Sequence, residues 1–225
     1  MNNALFVGGI VPMTTVDYPD HISAVIFMQG CPWRCIYCHN PHLQSILLTE
    51  SLPWEDILGL LRERIGFIEA VVFSGGEPLA QSMLPMAIAD VKRMGFLVGL
   101  HTAGTDPHML TRVIPLVNWI GFDVKHSFGE YHLITGVKGS GETARRSLEI
   151  VISSNIDFEV RITLHESIEM SLLLDLFKEL SDMGVKKLIL QKCRDKDEFV
   201  VEHPIFSDRL ILEDVSKYFD NFYIR

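Results

Sequence analysis

The chain has 225 residues, 48% of them hydrophobic and 22% charged, which is the composition of a folded globular protein rather than a disordered one. Its formal net charge of −9 disfavours nucleic-acid binding, because contact with a phosphate backbone requires a basic surface. We see no leader-like start and no stretch of about 18 uninterrupted apolar residues. We therefore expect no targeting segment, no membrane span and a cytoplasmic location.

The first half of the chain predicts alternating strands and helices. The run ISAVIFMQ predicts a buried strand over residues 22–29, and a loop over 31–50 follows it. Ser51 is a candidate N-cap for the next helix. The elements that follow are a helix over 52–65, a strand over 70–73, a helix over 79–94, a strand over 97–101, a helix over 107–116 and a strand over 119–124.

The second half repeats this alternation after a long loop over 125–140. We expect a helix over 142–154, a strand over 158–164, a helix over 171–183 closed by Gly184, a strand over 187–190, a helix over 207–218 and a short apolar end over 222–224. Six strand–helix units predict an α/β fold with parallel strands inside and helices outside. We interpret residues 1–225 as one domain, an open partial (β/α)6 barrel similar to a TIM barrel, with ligands at the carboxyl ends of the strands.

Three of the four cysteines lie within eight residues, as Cys31, Cys35 and Cys38. Clustered cysteines in a cytoplasmic chain indicate metal binding or catalysis rather than disulfides. Thiolates are the ligands that iron–sulfur clusters require, and three ligands to a four-iron cluster leave one iron open. A structural zinc site, which takes four closed ligands, and a purely electron-carrying cluster remain alternatives. Cys193 is distant in sequence, and we expect an inert thiol there.

Polar residues follow the other predicted strands in turn. Ser74–Glu77 comes after the second strand and His101-Thr102 after the third, while Asp123 and Lys125 end the fourth. Arg161 lies on the fifth strand and Gln191-Lys192-Cys193 follows the sixth. Because parallel strands end at one edge, we expect these residues to converge on one mouth.

The stretch GCPWRCIYCHNP, residues 30–41, resembles the cluster loop of the radical S-adenosylmethionine superfamily in its cysteine spacing and in Tyr37. Three further stretches are similar to activases of glycyl-radical enzymes: TTVDYP at 14–19, CHNP at 38–41 and ITGVKGSGE at 134–142. Within that group the chain most resembles the activating protein of anaerobic ribonucleoside-triphosphate reductase. Pyruvate formate-lyase activating enzymes come next.

The resemblance implies one [4Fe–4S] cluster held by the three cysteines, with the amino and carboxylate groups of S-adenosylmethionine on the fourth iron. Reduced flavodoxin or ferredoxin would supply an electron. The 5′-deoxyadenosyl radical would then take a hydrogen atom from a glycine of a partner enzyme, for which anaerobic ribonucleotide reductase is the first candidate. A pyruvate formate-lyase-type activase and a radical enzyme acting on a small molecule are alternatives. The short chain favours a macromolecular substrate.

The resemblance also implies roles for single residues. Tyr37 would lie beside the adenine, the Gly-Gly-Glu turn would hold the amino group, and Arg161 would meet the carboxylate. Asp17 and His101 are candidate contacts to the partner. Pyruvate formate-lyase activases have an aspartate at the position of His101 that helps to bind a monovalent cation, so the histidine puts such a site in doubt here. Ordinary packing, a tight turn and a surface ion pair remain alternatives for these positions. The implied cofactor-binding set is Tyr37, Ser74, Gly75, Gly76, Glu77, Thr102, Asp123, Lys125 and Arg161.

Overall fold

The computed structural model describes residues 5–47, 51–194, 200–201 and 203–225. Within these ranges nine strands form one open sheet and seven α-helices accompany it. The strands are β1 (Val7–Thr14), β2 (Ser23–Met28), β3 (Ala70–Gly75), β4 (Leu97–Thr102), β5 (Trp119–Val124), β6 (Asp157–Leu164), β7 (Lys187–Arg194), β8 (Val200–Val201) and β9 (Asn221–Ile224). The helices are α1 (Trp54–Arg62), α2 (Leu84–Arg93), α3 (Pro107–Val113), α4 (Tyr131–Thr135), α5 (Ser140–Ser153), α6 (Met170–Met183) and α7 (Arg209–Ser216).

The six central strands confirm the predicted α/β fold. Strands β2 to β7 pair in chain order and all five of these pairings are parallel. β1 adds to β2 in the antiparallel direction, while β8 and β9 both pair with β7. The sheet stays open, and the carboxyl ends of the six parallel strands lie along one edge.

The two faces of the sheet are buried by different partners, because successive side chains of a strand point to opposite faces. On the helix-covered face, side chains such as Ile26, Phe73 and Phe122 pack into the main hydrophobic core. On the inner face a smaller cluster forms around Val72 and Trp119. Burial on both faces explains why these strands read as continuous apolar runs rather than alternating ones.

Two helix ends show how local sequence fixes the element boundaries. The Asp106 carboxylate accepts hydrogen bonds from the backbone N–H groups of His108 and Met109, both at 2.9 Å, and so caps α3. Gly184 closes α6 at a φ of 100°, as its sequence position predicts.

The structure corrects several predicted boundaries. β1 was not predicted, because Gly8, Gly9 and Pro12 break the strand pattern. The predicted loop over 125–140 contains α4, a single short turn of helix whose sequence carries no periodic signal. The sixth parallel strand, β7, continues to Arg194, so residues 191–193 lie on that strand rather than after it.

The predicted N-cap at Ser51 is wrong. Pro53 occupies the cap position of α1, and the Ser51 hydroxyl instead accepts a hydrogen bond of 3.1 Å from the Val7 N–H. In the described part of the chain, no helix combines the length and the apolar character that a membrane span needs. The cytoplasmic location and the single-domain interpretation stay predictions.

Candidate functional site

The cysteine loop leaves β2 and is closed on itself by backbone hydrogen bonds. The Gly30 N–H donates to the Leu43 carbonyl at 2.7 Å, and the Cys31 N–H donates to the Gln44 carbonyl at 3.1 Å. These two bonds bring the start and the end of the loop together. The chain between them is thereby presented at the carboxyl edge of the sheet.

Helix α4 supports the middle of the same loop. The Arg34 N–H donates to the Thr135 carbonyl at 2.9 Å, and the Ile36 N–H donates to the Ile134 carbonyl at 3.1 Å. The carbonyls at the end of a helix have no partner within the helix, so they are available to accept these bonds. The first two residues of the stretch 134–142, which resembles activases, therefore support the cysteine loop.

The thiols of Cys31, Cys35 and Cys38 are all free and partly buried. Burial, with the nearby Glu77 carboxylate, raises the pKa of Cys31 to about 12, and burial also raises the pKa of Cys35. Thiolates in such a place need positive charge from bound metal.

Among the described residues, no three His, Cys, Asp or Glu side chains are placed together to hold a metal ion. The chemistry of three thiols on one loop suits an iron–sulfur cluster, in which each thiolate binds a different iron.

The Gly-Gly turn after β3 packs directly on the root of the cysteine loop. The Gly76 N–H donates to the Met28 carbonyl and the Glu77 N–H donates to the Gly30 carbonyl, both at 2.8 Å. Gly75 has a φ of 104°, and a Cβ on Gly76 would lie 2.5 Å from the Gly30 oxygen. Glycine is therefore required at both positions for the two loops to meet.

The Glu77 side chain joins the ends of β3 and β4. Its carboxylate accepts hydrogen bonds from the Thr102 hydroxyl at 2.6 Å, the Ala103 N–H at 3.0 Å and the Leu79 N–H at 3.1 Å. Burial raises the pKa of this carboxyl to about 7, although the three hydrogen bonds oppose the shift. Thr102 and Glu77, both predicted to bind cofactor, thus use their side chains to hold the two turns together.

The end of β5 meets the cysteine loop through Lys125. Its ammonium group lies 3.8 Å from the Asp123 carboxylate and 6.0 Å from the centre of the Tyr37 ring. The Tyr37 hydroxyl donates to the Lys125 carbonyl at 3.4 Å. Burial alone would lower the pKa of Lys125, but the charges of Asp123 and Cys35 raise it above its ordinary value.

Arg161 lies on β6 with its guanidinium on the inner face. Its Nε is 3.6 Å from the Glu159 carboxylate and 3.9 Å from the Asp123 carboxylate, and its Cζ lies 5.5 Å from the centre of the Trp119 ring. The side chain is buried, yet Nε and Nη2 have no hydrogen-bond partner within the described residues. Buried guanidinium donors without partners fit an anionic ligand group such as a carboxylate.

A cavity of about 890 Å³ opens beside the cysteine loop, which contributes Cys35, Tyr37 and Cys38 to its wall. The opposite wall carries His165, which follows β6, and Cys193 on β7. The residues that line this cavity do not include Ser74–Glu77, Thr102, Asp123, Lys125 or Arg161.

His165 is not among the site residues that the sequence predicts. The structure stacks its ring on Tyr37 with centroids 5.6 Å apart. The position of His165 directly after a predicted strand is the sequence feature that would have indicated it.

Asp17 and His101, the two candidate partner contacts, touch each other. The His101 Nε2 lies 2.9 Å from the Asp17 carbonyl oxygen, and the His101 ring packs edge-on against Trp119. Burial, followed by the charge of Arg161, lowers the pKa of His101 well below its ordinary range. The histidine is therefore neutral at pH 7, and its role toward a partner stays a prediction.

Residues 25–190, which carry the cysteine loop, the Gly-Gly turn, Lys125 and Arg161, match the profile of the Radical SAM superfamily. The chain belongs to this superfamily. Its cysteine loop, the feature that first indicated an iron–sulfur cluster, lies at the start of the matched region. The predicted membership in the radical SAM superfamily is confirmed.

Two curated relatives narrow the group within the superfamily. A Methanocaldococcus jannaschii protein, named as a candidate glycyl-radical enzyme activating enzyme, is 34% identical over 70% of this chain and 67% of its own length. The pyruvate formate-lyase-activating enzyme of Clostridium pasteurianum is 35% identical over 56% of each chain. The chain thus spans about half to two thirds of these relatives. The resemblance to activases is confirmed, while closeness to the activating protein of anaerobic ribonucleotide reductase stays a prediction.

Solved structures of low sequence identity confirm the fold. Streptococcus suis SuiB bound to S-adenosylmethionine is 12% identical, with a TM-score of 0.63 over 90% of this chain and 46% of that one. TYW1 with a lysine–pyruvate adduct bound is 15% identical, with a TM-score of 0.63 over 87% of this chain and 73% of that one. Both likenesses concern the open parallel barrel alone.

Proposed function

We propose that this radical SAM protein cleaves S-adenosylmethionine reductively at one [4Fe–4S] cluster and installs a glycyl radical on a partner enzyme. The observation that carries the proposal is the anchored loop with three partly buried thiols, Cys31, Cys35 and Cys38, at the carboxyl edge of the sheet. Its three thiols suit a four-iron cluster with one iron left open for the cofactor. The similarity to activating enzymes supports the choice of a protein glycine as the target.

The residues around the loop have separate tasks in this proposal. Once bound, the cluster supplies the electron that breaks the carbon–sulfur bond of the cofactor. Tyr37 offers an aromatic face beside the loop, and Lys125 offers a fixed positive charge held by Asp123. The buried donors of Arg161 bind the carboxylate of the cofactor. The Gly75-Gly76 turn brings backbone groups close to the loop, where they receive the amino group of the cofactor.

The proposed partner is an anaerobic ribonucleotide reductase, and the proposed electron donor is flavodoxin or ferredoxin. The resemblance of the chain to the activating protein of that reductase supports this partner. A second candidate partner is a pyruvate formate-lyase, and the similarity to the Clostridium pasteurianum enzyme favours it.

Electron paramagnetic resonance tests the proposal and separates the two partners. The chain is reconstituted anaerobically with iron and sulfide, then incubated with dithionite, S-adenosylmethionine and either a ribonucleotide reductase or a pyruvate formate-lyase from the same cell. We expect a glycyl-radical doublet with the reductase, and 5′-deoxyadenosine by chromatography. The matched control is the same reductase with its radical glycine changed to alanine, which should give no doublet.

Each other outcome has a defined meaning. A doublet only with the lyase would show that a pyruvate formate-lyase, the second candidate, is the partner. 5′-Deoxyadenosine without a doublet on either partner would indicate a small-molecule substrate. If a chain with an intact cluster forms no 5′-deoxyadenosine, the proposal is overturned. The remaining interpretation is then an electron carrier.

A further inference from the structure

Glu159 is a carboxylate with no exposed surface, and it lies among three cations. Lys187 Nζ is 3.2 Å from its Oε2, while Arg225 Nη1 and Arg161 Nε are 3.5 Å and 3.6 Å from its Oε1. Burying a carboxylate is unfavourable unless such partners surround it, and a hydrophobic side chain would often be equally stable in its place. A charge network of this kind therefore calls for a reason other than stability.

The geometry around Arg161 supplies that reason. Glu159 and Arg161 are two residues apart on β6, so both side chains point to the inner face. Glu159 and Asp123 lie near the same Nε atom, at 3.6 Å and 3.9 Å. The Asp123 side chain is 36% exposed and shared with Lys125, whereas Glu159 is fully buried, so Glu159 is the more rigid of the two anchors.

Gly121 provides the space that the guanidinium occupies. This glycine is the β5 neighbour of Glu159, and a Cβ there would lie 1.4 Å from Arg161 Nη2. The indole of Trp119 supports the guanidinium at 5.5 Å. Glu159, the bare backbone of Gly121 and the Trp119 ring together fix where Nη2 points.

Within the described residues, positive charge exceeds negative charge at this place. The connected ion pairs among these residues contain four cations, Lys125, Arg161, Lys187 and Arg225, against the two anions Asp123 and Glu159. This excess occurs in a chain whose net charge is −9. Together with the buried Nη2, which lacks a hydrogen-bond partner among the described residues, the excess leaves a place for one further anion.

We infer that Glu159 is a positioning residue that holds the Arg161 guanidinium over Gly121 and so aims it at the carboxylate of S-adenosylmethionine. Glu159 acts through Arg161 and does not touch the cofactor. The inference rests on the proposed function, because it requires that S-adenosylmethionine binds at this mouth. Glu159, a buried acid of β6, would thus set the orientation of Arg161. Within the described residues, Arg161 is the only side chain of that strand that would recognise the carboxylate.

The test is a comparison of two ligands, measured by calorimetry on the reconstituted protein with its cluster oxidised, so that no turnover occurs. The ligands are S-adenosylmethionine and decarboxylated S-adenosylmethionine, which lacks only the carboxylate. We expect Glu159→Gln to weaken binding of S-adenosylmethionine by about tenfold, the size of a lost hydrogen bond to a charged group. Binding of the decarboxylated ligand should change by less than about twofold, because its partner for Arg161 is already absent.

Gly121→Ala tests the same idea without altering any charge. Its methyl group would occupy the position of Arg161 Nη2, so we expect the same selective loss. The matched controls are Glu149→Gln, at an exposed ion pair on α5, and Gly59→Ala, where a Cβ meets no atom within 4 Å. Neither control should change the affinity for either ligand.

The other results would each decide against the inference. Equal weakening of both ligands by Glu159→Gln and Gly121→Ala would show that the pair only supports the fold. An unchanged affinity in both variants would show that Arg161 does not need Glu159. Failure of the unaltered protein to bind S-adenosylmethionine would overturn the proposed function itself, and is distinguishable because it precedes any substitution.

Discussion

The helix-covered face and the inner face of the sheet differ in how completely their buried groups are matched. On the helix-covered face, aliphatic and aromatic side chains such as Leu100, Phe122 and Ile162 are fully buried against one another. On the inner face, buried polar atoms of Trp119, Glu159 and Arg161 lack a hydrogen-bond partner within the described ranges.

The two faces of the sheet therefore have different tasks: the helix-covered face stabilises the fold, and the inner face carries the chemistry. Apolar burial on the helix-covered face stabilises the fold through contacts that need no ligand. Unmatched polar groups on the inner face are unfavourable unless something else satisfies them, and they lie below the carboxyl edge where the cysteine loop stands. We therefore expect substitutions on the two faces to separate cleanly in their effects.

The largest effect is expected at the cysteine loop. Cys35→Ala removes one of three thiolates, so the protein should retain no stable four-iron cluster and should form no 5′-deoxyadenosine. Iron content and visible absorbance after anaerobic reconstitution measure the first effect, and chromatography measures the second. Cys193→Ala is the matched control and should retain its iron. A full iron complement in Cys35→Ala would contradict the assignment of this loop.

The next effect belongs to the helix-covered face. Phe122→Ala leaves a cavity among fully buried side chains, so the free energy of unfolding should fall by about 3–5 kcal/mol. Urea denaturation of the cluster-free protein measures this loss. Phe67→Ala, at a ring that is 72% exposed, should change the free energy of unfolding by less than about 0.5 kcal/mol. Similar losses of unfolding free energy in the two variants would contradict the expected difference between buried and exposed apolar side chains.

A smaller effect, dependent on pH, is expected at Glu77. The pKa of this carboxyl is about 7 in the folded chain against 4.5 when solvated, so folding favours the protonated form. The resulting stabilisation is complete below pH 4.5 and is lost as pH rises to 7, by about 3 kcal/mol in total. The difference in unfolding free energy between the unaltered protein and Glu77→Gln should therefore fall over that window and stay level above it.

Thr102→Val sharpens the Glu77 prediction. The Thr102 hydroxyl lowers the pKa of Glu77 by donating to its ionised form, so removing it should move the end of the window to higher pH. A difference that rises with pH, or that stays constant between pH 4.5 and 7, would show that the carboxyl is not buried in its neutral form.

Sequence patterns predicted the parallel part of the fold because burial on both faces leaves long apolar runs in β2 to β7. They did not predict β1, since two glycines and a proline disguise a strand that exists by pairing with β2. They also missed α4, which is too short to show periodicity and is held by the cysteine loop that it supports. Both elements depend on a distant partner rather than on local preference.

By itself, the sequence determined the cysteine spacing, the order of polar residues at the strand ends and the family resemblance, because these are properties of neighbours along the chain. Only the tertiary structure decided that Glu77 and Thr102 bind each other, that His165 stacks on Tyr37, and that Glu159 shares Arg161 with Asp123. Each of these contacts joins different strands or loops at one edge of the sheet. Which side chains meet there depends on strand register and on the volume left by residues such as Gly121, and neither can be read from a single segment.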